Sequence, residues 1–107
     1  MKKFFAAPIL GALLCASAAQ ADDLTFLLVN ESTANLIEFN VSPASSARWQ
    51  GNLLRGGVLA AGYEVDVLVA DGLTTCIYDI RGQFGDGSVA EDYNVNLCDL
   101  GEYAFSD

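Results

Sequence analysis

The chain is predicted to be all-β: a small antiparallel β-sandwich of immunoglobulin-domain size, with about six to seven strands. Three observations predict it. Apolar and polar residues alternate with a period of two through much of residues 37–97, as in strands with one face on a core and the other in water. Clusters of glycine, asparagine and aspartate separate those runs, which is turn chemistry. Cys76 and Cys98 form an even pair in what reads as an exported domain, and such a pair reads as one disulfide.

The export reading rests on residues 1–21. Met1-Lys2-Lys3 is a basic start, Phe4 to Leu14 an apolar stretch, and Ala19-Gln20-Ala21 a small-x-small triplet before Asp22-Asp23. That is the layout of a signal peptide cut after Ala21, leaving residues 22–107 as a single domain. A lysine pair stands where the twin-arginine route needs arginines, so a Sec-type route is expected. Leu14 before Cys15 is too large for a lipoprotein cleavage site, and Cys15 leaves with the leader. No stretch reaches the roughly 20 apolar residues of a transmembrane helix. The expected destination is periplasmic or extracellular.

The strands follow in order. Leu24 to Val29 is apolar on both phases, as in a strand covered on both sides. After the Asn30–Asn35 turn, Ile37, Phe39 and Val41 alternate with Glu38 and Asn40. Ser42-Pro43 then reads as an N-cap followed by a first-turn proline, and one or two turns of helix are expected over Pro43–Trp49, inside a connection. Gly51 ends it, and Leu53-Leu54 return to the core. Val65, Val67 and Val69 continue the phase of Tyr63, and Cys76, Tyr78 and Ile80 alternate with Asp79 and Arg81. Gly85-Asp86-Gly87 reads as a hairpin turn leading to Tyr93, Val95 and Leu97. Glu102 to Phe105 is a short closing strand.

A Cys76–Cys98 bridge closes a loop of about twenty residues, worth about 3 kcal/mol on the loop-entropy argument. Val41-Ser42-Pro43, Trp49, Leu53-Leu54, Gly62, Cys76-Ile77-Tyr78-Asp79-Ile80-Arg81, Phe84, Asp86-Gly87 and Asn96-Leu97-Cys98 together resemble a group of small exported bacterial proteins. Their shared pattern is a Ser-Pro loop with a tryptophan, a Cys-x-x-Asp-Ile-Arg strand and a closing Asn-Leu-Cys. Gln50 departs from it, standing where the group has glycine. The resemblance implies a compact β domain with Cys76 and Cys98 bridged, and it carries no activity with it.

The charge is strongly negative. The whole chain carries −9; losing Lys2 and Lys3 with the leader makes it −11, with only Arg48, Arg55 and Arg81 against 14 carboxylates. Such a surface repels nucleic acid and anionic headgroups. There is no histidine, so serine–histidine and cysteine–histidine chemistry lacks its base, and the lysine of a Ser-Lys pair leaves with the leader. The protein is not expected to be an enzyme or to hold a cofactor. Calcium is the one ion the composition favours, with Asp86, Glu91 and Asp92 around the Gly85–Ser88 turn as candidate ligands.

Asp79 and Arg81 share one strand face and are expected to make an ion pair, with each other or across to a neighbouring strand. Tyr63, Tyr78 and Tyr93 sit on inward phases and are expected in the core. Trp49, in its loop, serves equally as a lid or as a contact residue. The candidate binding residues are Trp49, Arg48, Arg55, Asp79 and Arg81. The expected function is a non-catalytic exported binding protein, its partner a protein or a cationic surface. The alternatives are an inhibitor of a basic extracellular hydrolase and a calcium-dependent structural module.

Overall fold

The alternating runs become six strands: β1 (Leu24–Glu31), β2 (Leu36–Pro43), β3 (Glu64–Val69), β4 (Ile77–Phe84), β5 (Val89–Asn96) and β6 (Glu102–Ser106), with a four-residue helix, α1 (Leu97–Leu100), before the last. The computed structural model describes residues 23–107; the expected leader lies outside the described residues. Two three-stranded sheets form, ordered β3-β1-β6 and β2-β4-β5. Cys76 and Cys98 are bridged, with their Cα atoms 5.3 Å apart. The two-layer β fold is the one the alternation predicts, and the Cys76–Cys98 bridge is the one the cysteine pair predicts.

One pairing departs from the antiparallel expectation. β1 and β6 run parallel, from Leu27 opposite Glu102 to Glu31 opposite Ser106. Parallel neighbours cannot be joined by a hairpin, and here α1 carries the chain from β5 in one layer to β6 in the other. The Leu97 amide donates to the Cys76 carbonyl (2.8 Å), the Leu27 amide donates to the Gly101 carbonyl (2.9 Å), and Leu97 is buried. The crossover is thus docked at both of its ends.

Phe26, Leu28, Val67, Val69 and Phe105 from one sheet meet Phe39, Val41, Tyr78, Ile80 and Phe84 from the other. Phe105 is the hub, edge-on to Phe39 (6.1 Å), Phe84 (5.5 Å) and Tyr103 (5.2 Å). Gly82 makes its room: a Cβ there would lie 2.7 Å from the Phe105 ring, closer than close-packed atoms tolerate. Asn30 is buried with its amide fully used. Its Nδ2 donates to the Ala34 and Leu59 carbonyls, both at 2.9 Å, and its Oδ1 accepts from the Ser32 amide and hydroxyl, as a buried polar group requires.

Two bulges correct the expected inward phases. In β2 the pairing with β4 shifts between Leu36 and Glu38, so Leu36 and Phe39 both enter the core and Ile37 is left 43% exposed. In β5 the pairing shifts opposite Tyr78 and Ile80, with Asn94 at φ 57°. Ala90 and Val95, an odd number of residues apart, can then both pack on the core, and the extra residue turns Tyr93 outward, 56% exposed. Tyr63 is 67% exposed as well, because it precedes β3 at the rim of an apolar groove of about 270 Å³ lined by Leu54, Val58, Leu59, Tyr63 and Val65. Of the three tyrosines expected in the core, Tyr78 alone is there.

The short helix lies at Leu97–Leu100 and not at Pro43–Trp49. Asn96 caps it, its Oδ1 accepting from the Cys98 (3.0 Å) and Asp99 (3.3 Å) amides. Ser42 and Pro43 instead finish β2, with Pro43 opposite Tyr78. β2 is an edge strand, where a residue without an N–H is tolerated. The connection after it folds back along that edge: the Gln50 amide donates to the Val41 carbonyl (2.8 Å), Leu53 to Phe39 (2.9 Å), and Leu36 and Leu59 exchange amide bonds. An otherwise open edge is thereby covered.

Candidate functional site

The outer face of β2-β4-β5 gathers most of the candidate binding residues. Register places Asn40 of β2 opposite Arg81 of β4, and Arg81 opposite Glu91 of β5, so one row crosses all three strands. Asn40 is buried and organises the row. Its Nδ2 donates to Glu38 Oε2 (2.9 Å) and to the Gln50 carbonyl (3.0 Å). Its Oδ1 accepts from Arg81 Nε (3.4 Å), Arg81 Nη2 (3.3 Å) and Gln83 Nε2 (3.4 Å).

Trp49 arrives from the folded-back connection. The Ser46 amide donates to the Pro43 carbonyl (2.9 Å) and Ala47 takes φ 52°, a conformation that reverses the chain at some cost to a residue with a Cβ. Trp49 is left half-buried with the Arg81 guanidinium 4.5 Å from its ring centroid. A cation over indole at this range contributes about 0.5–1 kcal/mol at a partly exposed site. Both sides of the contact are held: Arg81 by Asn40, Trp49 by the Gln50 amide.

Asp79 and Arg81 share the face as expected, but among the described residues their hydrogen bonds go elsewhere than to each other. Asp79 Oδ1 accepts from the Asn94 amide (3.0 Å) and so pins the β5 bulge. Tyr93, turned out by that bulge, donates its hydroxyl to the Glu91 carboxylate, and this bond raises its pKa. Arg48 is exposed beside Trp49 in the chain, and Arg55 is exposed in the Leu54–Gly57 turn; no hydrogen bond joins either to the row. Glu38, Asn40, Gln83 and Tyr93 are the face residues that sequence reasoning missed. The available signal was Asn40, a poor strand former in the middle of an apolar alternation.

Below this face Asp71 ties the connection to β4. Its Oδ2 accepts from the Tyr78 hydroxyl (2.6 Å) and from Gln50 Nε2 (3.0 Å), and its Oδ1 accepts from the Leu73 amide (3.1 Å). Burial alone would raise the Asp71 pKa, yet these bonds together hold it below the ordinary 3.8. Tyr78 is pushed well up, by burial first and then by Asp71.

The candidate calcium ligands do not converge. Asp86 closes its own turn on the Ser88 amide and hydroxyl, Glu91 is held by Tyr93, and Asp92 accepts from the Tyr103 hydroxyl of β6 (3.2 Å). Among the described residues no three histidine, cysteine or acidic side chains come close enough together to hold a metal ion, and no helix is long and apolar enough to cross a membrane. The fold and face define a disulfide-stapled two-sheet β protein with an aromatic–arginine surface. Comparison with protein-family models, with curated proteins and with solved structures finds no match to this chain.

Proposed function

We propose that this is an exported, non-catalytic binding protein that recognises a protein partner through the outer face of β2-β4-β5. The observation that carries the reading is the Trp49–Arg81 stack. A tryptophan and an arginine, the residues most enriched at interface hot spots, are held partly exposed on a rigid sheet, with Tyr93 and Glu91 on the adjoining strand. Their supports are spent on orienting them: Asn40 on Arg81, the Gln50–Val41 bond on Trp49, the Asp79-pinned bulge on Tyr93. A preorganised surface loses less freedom on binding. The excess of carboxylates around one arginine suits a partner whose contact surface is basic. Export is supported by the disulfide and by the leader-like first 21 residues, and a non-catalytic role by the lack of histidine.

Trp49→Ala and Arg81→Ala tested in crosslinking pull-downs from the native envelope check this. Loss of the same captured protein in both variants, with folding intact, is the expected result. An unchanged capture pattern removes this face from the function.

A further inference from the structure

The geometry points to a second docking surface, the outer face of β3-β1-β6, that takes a basic amphipathic segment of a partner protein. It stands independently of the Trp49 face. Leu27 and Val29, on the outward phase of the central strand β1, form an apolar stripe. Register sets Asp66 and Glu102 on either side of Leu27, and Glu64 and Ala104 on either side of Val29. Leu68 lengthens the stripe beside Thr25, and Glu31 ends it beside Ser106. Glu31, Glu64, Asp66 and Glu102 are all exposed, and none of the hydrogen bonds among the described residues uses their side chains.

The complementarity is specific in shape as well as sign. β1, β3 and β6 contain no lysine or arginine; Asp66 and Glu102 face each other across Leu27, and Glu64 faces Ala104 across Val29. Two strand spacings separate the banks of the stripe by about 10 Å, the diameter of a helix with its side chains. A basic amphipathic helix has the matching layout, an apolar strip with lysine or arginine along both borders whose stems lie on apolar surface. An anionic membrane is repelled by the same carboxylates, and a second copy of the chain brings the same charge. Leu27 and Val29 are half-buried on the central strand of a three-stranded sheet, so hydrogen bonds to strands on both sides hold the backbone beneath the stripe.

The test uses the oxidised protein and a dansylated leucine–lysine amphipathic peptide of about 14 residues, about 20 Å as a helix, with its leucine–glutamate counterpart as control. Fluorescence anisotropy is expected to show micromolar binding of the lysine peptide only. Raising salt from about 0.1 M to about 1 M shortens the screening length from about 10 Å to about 3 Å and is expected to weaken it. The triple variant Glu64→Gln/Asp66→Asn/Glu102→Gln is expected to bind at least tenfold more weakly. Asp86→Asn/Asp92→Asn/Asp99→Asn, with the same net charge, is expected to bind as the parent does. Equal losses in the two triple variants would reduce the effect to overall charge and overturn the proposal. So would amide shifts confined to the free edge of β3, which indicate strand addition, or no binding of the lysine peptide. Leu27→Thr is expected to weaken binding with the salt dependence retained. Trp49→Ala leaves this binding unchanged if the two faces are separate, and an equal loss there would refer the peptide to the Trp49 face.

Discussion

On the outer face of β2-β4-β5, one buried side chain, Asn40, holds Glu38, the Gln50 carbonyl, Arg81 and Gln83. On the outer face of β3-β1-β6, the four carboxylates Glu31, Glu64, Asp66 and Glu102 hold nothing among the described residues. Both faces come from the same alternation of apolar and polar residues. They differ because a folded-back connection runs along the β2 edge and brings Trp49 onto one face, whereas the bonds of Gly62 and Tyr63 to Asn30 and of Leu27 to Gly101 only continue β3 and β6 along β1. Covering the β2 edge brings backbone carbonyls and Trp49 near the strand side chains, so polar groups there must be satisfied. The open face leaves its polar groups to water. A wired face resists change and orients its side chains; a bare face keeps its charge available.

Cutting the bridge between the start of β4 and the helix that follows its neighbour β5 tests the frame that both faces share. Cys76 precedes β4 in one sheet and Cys98 lies in α1, which leads to β6 in the other. Cys76→Ser/Cys98→Ser is expected to cost about 3 kcal/mol in urea unfolding, the largest effect here. Asn40→Ala comes next. It orphans the Gln50 carbonyl and frees Arg81, and a cost of about 1–3 kcal/mol is expected; a change near zero would mean the face is wired by its backbone alone. Trp49→Ala removes the stack on Arg81, about 0.5–1 kcal/mol, together with the burial of part of the indole, so urea unfolding of that variant is measured beside its partner capture.

The Tyr103–Asp92 contact joins β6 to β5, and it sharpens the comparison by pH. Burial first, and the Asp92 charge and hydrogen bond after it, push the Tyr103 pKa up to about 12 from the ordinary 10.0. The folded state therefore favours the neutral phenol. Its contribution is complete below pH 10 and is lost as pH rises through about 12. An ultraviolet titration should show one late-ionising phenol disappear in Tyr103→Phe, with an earlier alkaline transition in the parent than in that variant. The smallest expected effect is on the bare face. Glu64→Gln/Asp66→Asn/Glu102→Gln should leave stability within about 0.5 kcal/mol of the parent, or slightly above it as like charges are relieved. A larger loss would show hidden bonds there and end the contrast.

Much of this was legible from residue order. Tyr78 and Ile80 read as one face of a strand and are buried together; Gly85–Ser88 is a hairpin turn, with Gly87 at φ 90°; Glu102 to Phe105 is a closing strand; and Cys76 meets Cys98. These are local matters of period, turn chemistry and compartment, and a sequence window contains their causes. The helix was legible but overlooked: Asn96 with Asp99 three residues on, then Gly101, is a start and a stop, while Ser42-Pro43 imitated a start.

The tertiary structure alone decided the bulges, the parallel β1–β6 pair and the Trp49 face. Leu36 and Phe39, like Ala90 and Val95, are an odd number of residues apart, and only a core that demands both members of each pair forces the extra residue between them. Ile37 and Tyr93 were displaced outward by partners remote in sequence, and Arg81 found Asn40 and Trp49 in place of Asp79 because β2 and its returning connection lie beside β4. Alternation specifies which residues can share a face; the packing of the opposite layer chooses where that alternation breaks.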